Sequence, residues 1–293
     1  MKLVRFSVGA APAAYGVVIE DRVMALDPTL SGGIEDWLAF GAEALESMHQ
    51  NALKISRALP LASVGLLAPI ARARKFLGIG ANYGSHLLEC ERLGIKAPAT
   101  QLWFNKQSSC IVGPRDDIVI PTLSDKVDYE GELGVVIGCR CRNVSVEKAR
   151  DVIGGFLVCN DVSARDIQMR SPTMMLGKSF DTHGPIGPWL VTPDEISDPQ
   201  DLWLRTWVNG ELRQDARTSE MRYPIADQIA ELSSIFTLEP GDILATGTPA
   251  GVGAAMSPRR FLRAGDTVRV EIDGIGAIEN RCIVDETPIW NGH

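Results

Sequence analysis

The stretch VDYEGELGVVIG, residues 127–138, decides the fold because its polar and apolar residues alternate with the period of two that is typical of a β-strand. In that register Asp128, Glu130 and Glu132 share one face of the strand. Larger apolar side chains project from the other face: Tyr129, Leu133, Val135 and Ile137. The pattern therefore predicts a strand that packs on a core on one side and presents carboxylates on the other.

Such a row of carboxylates is unfavourable without a counter-charge. Carboxylates two residues apart on one strand face lie roughly 7 Å from each other and repel by about 2 kcal/mol at an effective dielectric of about 20. A bound cation would remove this repulsion. The alternative is a solvated strand edge, but exposed strands usually mix Lys, Thr and Glu instead of repeating one sign of charge. The stretch therefore favours a cation site.

The composition is that of an ordinary globular protein. The chain has 293 residues, 45% hydrophobic and 23% charged, which allows one large domain or one large and one small domain. The net charge of −8 and the lack of a run of Lys and Arg argue against a nucleic-acid partner. The opening residues lack the apolar core and cleavage site of a signal peptide, and no stretch of about 18 apolar residues occurs. These features predict a soluble, cytoplasmic protein with no membrane partner.

The cysteines do not indicate a metal or a disulfide framework. Six of them are scattered in apolar contexts, namely Cys90, Cys110, Cys139, Cys141, Cys159 and Cys282. We expect buried, reduced thiols. Cys139 and Cys141 would share a strand face, but no second pair and no nearby His completes a zinc site.

The first 70 residues indicate a small accessory domain. They contain two strands, KLVRFSV and YGVVIE, and an amphipathic segment from about Ile34 to Ser56. Pro69 and three basic residues then precede a new apolar strand. We therefore expect residues 1–70 to form a small N-terminal α/β domain and residues 71–293 to form the main domain.

A second candidate group follows the strand KFLGIG. The next segment, ANYGSHLLECERLG, predicts a short helix that ends at Gly94. His86 and Glu89 are three residues apart on it and share a face, where the carboxylate would orient the imidazole as a general base. From spacing alone, an ordinary surface pair remains the alternative.

Two further charged residues have open interpretations. Lys106 lies inside the strand-like WFNKQSSCIVG, either as an edge lysine whose ammonium group reaches water or as a cation near the acidic face. Asp161 ends the apolar strand GFLVCND, where it is equally well a site ligand or the N-cap of a helix over VSARDIQMR. On that helix Arg165 and Gln168 share a face.

The later segments complete the prediction of the fold. RSPTMMLGKSFDTHGPIGP, residues 170–188, has little periodicity and predicts a mobile loop over a site, with Lys178 and His183 as its reactive members. The segment LEPGDILATGTPAGVG, residues 238–253, predicts a turn, a strand and a glycine-rich loop. Many short strands with few helices favour an α+β, mostly β fold with a closed or rolled core over a doubly wound sheet.

Taken together, the segments resemble the fumarylacetoacetate hydrolase family over roughly residues 71–285. The segment ANYGSHLLE resembles the family's N-Y-x-x-H-x-x-E, VDYEGELGVVIG its E-x-E-L strand, and NDVSARDIQ its N-D-V-T/S-A-R-D-x-Q. WFNKQSSCIVGP, GKSFDTHGPIGP and LEPGDILATGTPAGVG are similar to three further segments of the family. Each match alone would be weak, but six in the same order are specific.

The resemblance implies a role for each matching position. Glu130, Glu132 and Asp161 would bind a divalent cation, Mg²⁺ or Mn²⁺, with Asp128 behind them, and hard oxygen ligands suit both ions. The implied catalytic residues are His86, Glu89 and Lys178. The implied substrate-contacting residues are Arg165, Gln168, Lys178 and Thr248. The implied architecture is a mixed β-roll that forms a homodimer, with a small N-terminal domain.

The implied reaction is hydrolysis of a C–C bond in a diketo acid or acylpyruvate-like compound, in the catabolism of aromatic compounds or sugar acids. The cation would act as a Lewis acid, His86 would deprotonate a water, and Lys178 would stabilise the oxyanion. The same site permits decarboxylation of an oxaloacetate-type acid or isomerisation of a hydroxydienoate dicarboxylate. A metal-binding protein without catalysis is the alternative of another class, and the presence of His86, Glu89 and Lys178 argues against it.

Overall fold

The computed structural model describes residues 1–27, 32–54 and 58–286 of the chain. The strands in these residues are β1 (Lys2–Ser7), β2 (Ala14–Ile19), β3 (Arg22–Ala25), β4 (Ala58–Pro60), β5 (Gly65–Leu67), β6 (Phe76–Gly80), β7 (Leu102–Lys106), β8 (Ile111–Val112), β9 (Ile118–Ile120), β10 (Val127–Asp128), β11 (Gly131–Ile137), β12 (Ile153–Asn160), β13 (Ser163–Ala164), β14 (Gly184–Val191), β15 (Trp203–Val208), β16 (Glu211–Arg217), β17 (Ile243–Ala245), β18 (Thr267–Ile272) and β19 (Gly276–Val284). The α-helices are α1 (Ile34–Leu38), α2 (Ala42–Ala52), α3 (Gly84–Arg92), α4 (Arg165–Gln168), α5 (Met175–Lys178) and α6 (Ile225–Ile235). None of the helices in this part of the chain has the length and hydropathy that crossing a bilayer requires.

Two sheets carry the fold. A 12-stranded sheet has the order β4-β3-β2-β1-β14-β12-β11-β17-β6-β7, with β5 paired to β1 and β8 paired to β14. A five-stranded sheet has the order β16-β15-β18-β19-β9, and β10 pairs with β13. Strand β11 belongs to the larger sheet and also contacts β15 and β18 of the smaller one. This arrangement confirms the predicted α+β, mostly β class.

The side chains of β11 face two hydrophobic clusters. Leu133, Val135 and Ile137 belong to the main cluster, which also contains Val270 of β18. Val136, on the opposite face, belongs to a second cluster with residues of β12 and β17. Every residue of β11 is buried. The predicted packing of Leu133, Val135 and Ile137 on a core is confirmed, and the face that carries Glu132 is covered as well, because Val136 packs in the second cluster.

The predicted single strand over residues 127–138 is interrupted between β10 and β11. Strand β10 pairs with β13, whereas β11 pairs with β12 and β17. Side-chain acceptors replace the ladder at the interruption. The Glu130 N–H donates to Asn160 Oδ1 at 3.0 Å, and the Gly131 N–H donates to Gln214 Oε1 at 3.0 Å. Buried amides from two other strands thus hold the backbone at the point where the acidic residues stand.

The N-terminal strands extend the larger sheet, because β1 pairs antiparallel with β14. Helix α2 lies in the predicted amphipathic segment and ends at Ala52. The predicted end of that segment at Ser56 lies outside the described residues. The division of the chain into an N-terminal domain of residues 1–70 and a main domain of residues 71–293 stays a prediction.

The short helices differ from the prediction at three places. Only Arg165–Gln168 of the predicted helix after Asp161 is helical, because the two residues before it pair with β10 as β13. The segment SVEKARDVIG predicts a helix with Ser145 as its N-cap. In the structure Ser145 precedes a 3₁₀-helix, Val146–Val152, and its side chain makes no capping hydrogen bond. Residues 170–188 are not irregular throughout, since α5 and the first half of β14 lie within them. Helix α3 confirms the helix predicted after KFLGIG, and α6 confirms the helix that the periodicity of IADQIAELSSI predicts.

The six cysteines are free thiols. Three of them are buried, as predicted: Cys110, Cys159 and Cys282. Cys139 is exposed, and Cys90 and Cys141 are half-buried, so the prediction of burial is wrong for these three. Cys139 and Cys141 follow the end of β11, and Cys90 lies on α3, a helix with no buried residue.

Candidate active site

Three carboxylates converge where β11 and β12 pair. Glu130 lies just before β11, Glu132 lies on it, and Asp161 follows β12. Their ligand atoms all lie within 4.8 Å of one another, and the three residues are at most 5% exposed. Glu130 lies at the interruption between β10 and β11, and Glu132 lies in the ladder between β11 and β12. The sequence-predicted ligands are therefore close together in the fold.

Three basic side chains surround this carboxylate cluster. Lys178 Nζ lies 2.6 Å from both Glu130 Oε2 and Asp161 Oδ2. Lys106 Nζ lies 2.6 Å from Asp161 Oδ1 and is buried. Arg165 donates from Nη1 to Glu130 Oε1. Lys106 is thus a cation at the acidic face and not an edge lysine, and Asp161 accepts from lysines and does not cap a helix.

The cluster leaves one carboxylate without a basic partner. Burial would raise the pKa of Glu130, but Lys178 and Arg165 lower it below its usual range. Burial, with the charges of Asp161 and Glu130, raises the pKa of Glu132 well above its usual range. Among the described residues no Lys or Arg side chain pairs with Glu132, which accepts a hydrogen bond from the Gly247 N–H at 2.7 Å. This donor set fits a divalent cation, whose charge would stabilise the ionised form of Glu132.

Asp128 lies behind the cluster, as the resemblance implies. Its Oδ2 accepts from Arg165 Nε at 2.9 Å, and its Oδ1 accepts from the Gly253 N–H at 2.8 Å. The Ala254 N–H donates to the same carboxylate at 2.9 Å. Asp128 therefore orients Arg165 and fixes the glycine-rich loop beside the site.

His86 and Glu89 form a hydrogen-bonded pair on α3. The distance from His86 Nδ1 to Glu89 Oε2 is 3.0 Å, and Glu89 Oε1 accepts from the Gly251 N–H at 2.9 Å. Their side chains are only 12% and 14% exposed, which rules out the ordinary surface pair. Burial lowers the pKa of His86, but the contacts with Cys90 and Glu89 outweigh it and raise the pKa to about 9.

One cavity of about 410 Å³ brings most of the sequence-predicted residues together. The predicted residues that line it are His86, Glu130, Glu132, Arg165, Gln168, Lys178 and Thr248. Asp161 and Glu89 contact this lining through Lys178 and His86. The Thr248 hydroxyl donates to the Gly131 carbonyl at 3.0 Å and accepts from Gln214 at 2.7 Å. Thr248 therefore also fixes the start of β11.

Several residues that shape the site were missed by the sequence analysis. Asn160 and Gln214 hold the backbone at Glu130 and Gly131, and both side chains are fully buried. Asn160 was visible as the neighbour of Asp161, but Gln214 lies in the smaller sheet, and nothing in its sequence context indicates this contact. Cys90 also lines the cavity, with Sγ 3.8 Å from His86 Nε2.

His183 is a structural residue of the folded core and not part of the cavity wall. Its side chain is fully buried, and its Nε2–H donates to the Val119 carbonyl at 3.0 Å. Burial lowers the pKa of His183 to about 3. The notion of a mobile loop is wrong at this position, because the residue anchors the chain just before β14.

We expect His183 to make the protein sensitive to acid. Its pKa in the fold lies below its usual value of 6.5, so its contribution to stability is complete above pH 6.5 and is lost progressively as the pH falls toward 3. Between pH 7.5 and pH 5 the free energy of unfolding should fall by about 2 kcal/mol more in the wild type than in His183→Gln. Urea unfolding at the two pH values measures this, and equal losses in both proteins would contradict it.

A carboxylate cluster that fits a divalent cation and a buried His–Glu pair at one cavity are typical of an enzyme active site. The chain belongs to the fumarylacetoacetate hydrolase family. Residues 75–283 match the family model described as fumarylacetoacetate (FAA) hydrolase C-terminal. The resemblance drawn from the sequence motifs is therefore confirmed.

Known proteins similar to this chain have several activities. The oxaloacetate tautomerase fahd2, mitochondrial, of Xenopus laevis is 42% identical over 288 residues, which cover 96% of this chain and 89% of that protein. Fumarylacetoacetate hydrolase from psychrophilic Exiguobacterium antarcticum has a TM-score of 0.85 and 36% identity, covering 97% of this chain and 100% of that one. Maleylpyruvate hydrolase from Sphingobium sp. SYK-6, in complex with manganese(II) and pyruvate, has a TM-score of 0.81 and 32% identity. The match covers 98% of this chain and 100% of that one.

Proposed function

We propose that the protein is a divalent-metal-dependent enzyme that enolises a 2-oxo acid, and that keto–enol tautomerisation of an oxaloacetate-type acid is its reaction. The observation that carries the proposal is the common cavity of His86 and the carboxylates Glu130 and Glu132. Enolisation needs a proton acceptor or donor at the carbon next to the carbonyl and positive charge near the carbonyl oxygen. The cavity offers both.

The carboxylates of Glu130, Glu132 and Asp161 would hold Mg²⁺ or Mn²⁺, and the bound cation supplies the Lewis acid that polarises the 2-oxo carbonyl. Arg165 and Lys178 add fixed positive charge at the same wall, where they favour the substrate carboxylate and the negative charge of the enolate. Both are already oriented by carboxylates, so little reorganisation accompanies the reaction.

His86 would move the proton. Glu89 accepts from Nδ1, so Nε2, which lies 3.8 Å from Cys90 Sγ, is the ring nitrogen that would exchange a proton with the substrate carbon. Burial lowers the pKa of His86, but the contacts with Cys90 and Glu89 raise it, so the net direction favours the charged imidazole. In the charged form it would donate a proton to the enol carbon while the enol hydroxyl loses its proton to water. The imidazole then regains a proton from solvent, so the conversion of an enol into its keto form is proton-neutral.

Several further observations support this proposal. The similar protein of Xenopus laevis is named an oxaloacetate tautomerase and matches over almost the whole chain. The maleylpyruvate hydrolase of similar fold holds manganese(II) and pyruvate, a 2-oxo acid. A homodimer, a cytoplasmic location and the absence of nucleic-acid and membrane partners remain sequence predictions that belong to the same proposal.

Hydrolysis of a C–C bond in an acylpyruvate-like diketo acid is the second candidate. The observation in its favour is the same His86–Glu89 pair, which suits activation of a water as well as proton transfer to carbon. The maleylpyruvate hydrolase of similar fold supports it. Both candidates share the cation site and differ in whether a water reaches the carbonyl.

The purified full chain should be assayed with Mg²⁺, with Mn²⁺ and after EDTA treatment, on the enol form of oxaloacetate and on an acylpyruvate. We expect EDTA to lower enol-to-keto conversion by about 100-fold or more relative to the Mn²⁺ form, because Glu132 and its neighbours then lack their counter-charge. Readdition of either cation should restore the rate. Separated products distinguish tautomerisation from C–C cleavage and from release of carbon dioxide.

Activity that is indifferent to EDTA would contradict the cation site. Cleavage of the acylpyruvate without conversion of the enol would replace tautomerisation by hydrolysis. The uncatalysed conversion at the same pH and cation concentration is the control, because free Mn²⁺ also promotes enolisation.

A further inference from the structure

The cavity wall carries a thiol that the reaction proposed above does not use. Cys90 lines the cavity on α3, four residues after His86, so the two side chains share a face of the helix. The Cys90 Sγ lies 3.8 Å from His86 Nε2, within hydrogen-bonding range for sulfur. Glu89 Oε2 accepts from the other ring nitrogen of His86, Nδ1, at 3.0 Å. The three side chains therefore form a continuous series of thiol, imidazole and carboxylate.

This order of groups is the one that activates a cysteine as a nucleophile. The thiolate, and not the thiol, attacks carbon, so an adjacent base that holds the thiol proton increases the reactivity. The base is itself fixed in direction, because Glu89 Oε1 accepts from the Gly251 N–H at 2.9 Å. Burial lowers the pKa of His86, but the contacts with Cys90 and Glu89 raise it, which favours the form with a proton on Nε2 beside the sulfur.

The other accessible thiols of the described residues lack such a base. Cys139 is exposed and Cys141 is half-buried, and no described histidine forms a hydrogen bond with either thiol. Burial and the nearby charge of Asp151 raise the pKa of Cys139. Accessibility alone would therefore make Cys139 the most reactive thiol, whereas an adjacent base would make it Cys90, which is only half-buried.

The cavity also indicates which electrophile suits Cys90. Lys96, Lys126 and Arg259 line it, and none of the three forms an ion pair with a carboxylate in the part of the chain that the structure describes. Cations of this kind raise the local concentration of an anionic ligand. Addition to a C=C bond conjugated with a carbonyl group suits the Cys90–His86 pair, because it requires a proton to leave sulfur and a proton to reach carbon.

We propose that Cys90 is a covalent modification site for α,β-unsaturated ketones that carry a carboxylate. The thiol proton passes to His86 Nε2, and the sulfur–carbon bond forms at the β-carbon of the enone as the double bond breaks. The electron pair left on the α-carbon then takes the proton from Nε2. The adduct contains every atom of the thiol and of the enone, so no oxidant or reductant takes part. Because the adduct lies beside Nε2, it obstructs any other ligand that exchanges a proton with this atom.

The test treats the Mg²⁺-loaded full chain at pH 7 with trans-4-oxopent-2-enoate or with its neutral analogue, trans-pent-3-en-2-one. Peptide mass spectrometry measures the rate of adduct formation at each cysteine. With the anionic enone we expect Cys90 to react about tenfold faster than Cys139, because a free thiol is only a few per cent thiolate at pH 7. With the neutral enone the ratio of these two rates should be about threefold smaller or less, because the cavity cations no longer attract the reagent.

The His86→Gln variant removes the base and keeps a polar side chain of similar size. It should form the Cys90 adduct about tenfold more slowly than the wild type and the Cys139 adduct at the same rate. Cys90→Ser should lose the adduct at its own position only. Three buried thiols report that the variants are folded, since they should stay unmodified throughout: Cys110, Cys159 and Cys282.

Equal rates at Cys90 and Cys139 in the wild type would overturn the inference. So would a Cys90 rate that is unchanged in His86→Gln, since the imidazole would then have no part in the reaction. The same ratio of rates for both enones would overturn the assignment of an anionic reagent. Adduct formation is measured by mass and not by turnover, so failure of the proposed enolisation would leave this result standing.

Discussion

A Glu132→Gln variant should lose its divalent cation and, with it, turnover. Glu132 is the member of the carboxylate cluster with which no described Lys or Arg pairs, so its charge is the one that a bound cation would compensate. Gln keeps the size of the side chain and the hydrogen bond from Gly247. We expect the affinity for Mn²⁺ to fall by about 100-fold or more, because loss of outer partners of a metal ligand alone costs about 10- to 100-fold. Titration followed by electron paramagnetic resonance measures this.

The same substitution should not destabilise the cation-free fold. Removing a buried carboxylate that lies beside two others relieves repulsion, so the melting temperature in EDTA should stay the same or rise. Asp166→Asn is the matched control, because Asp166 lines the same cavity outside the cluster and should bind Mn²⁺ as the wild type does. A Glu132→Gln protein with unchanged Mn²⁺ affinity would show that the cation, if any, is held elsewhere.

A His86→Gln variant should bind Mn²⁺ normally and yet turn over about 100- to 10,000-fold more slowly, the range expected for loss of a positioned acid or base. The separation of binding from turnover follows from the structure, since His86 is hydrogen-bonded to Glu89 and not to the carboxylate cluster. Glu89→Gln should have a smaller effect because the imidazole remains. Steady-state rates with saturating Mn²⁺, together with the Mn²⁺ titration, measure both quantities.

The chain contains a natural control for this prediction. On α2, His49 stands three residues after Glu46, with Nδ1 3.9 Å from Oε2 and side chains 28% and 61% exposed. The spacing is that of His86 and Glu89 with the order of the two residues reversed, but neither His49 nor Glu46 lines the cavity. His49→Gln should therefore leave turnover unchanged. A comparable loss in both variants would mean that the effect of His86→Gln is indirect.

The sequence was most informative where the charge pattern of a segment also indicates its secondary structure. The alternation in residues 127–138 identified the acidic stretch. It also indicated that the carboxylates need a counter-charge, because like charges on one strand face are unfavourable in any fold. The interruption before β11 was not predictable, since it depends on Asn160 and Gln214, whose side chains approach from other strands. The motif resemblance, rather than periodicity, supplied Asp161 as a partner of the two glutamates.

The basic residues show a limit of the same kind. From the sequence, Lys106 was either an edge lysine or a cation near the acidic face. Its contact with Asp161, 55 residues away in the chain, shows that it is a cation at that face. The sequence made both His183 and His86 candidate reactive residues. In the structure His183 packs in the core, and of the two only His86 lines the cavity. Tertiary packing determines how buried a side chain is and which way it points. Local sequence spacing does not predict either property.

The carboxylate cluster and the His86–Glu89 pair of the proposed site lie on elements that differ in burial. Every residue of β11 is buried, whereas α3, which carries His86 and Glu89, contributes no buried residue. Segments with few buried apolar contacts open at lower free energy than core strands. A local opening of α3 would therefore withdraw His86 and Glu89 from the cavity and leave the carboxylate cluster in place. Proton transfer and cation binding would then fail at different temperatures, the first below the second.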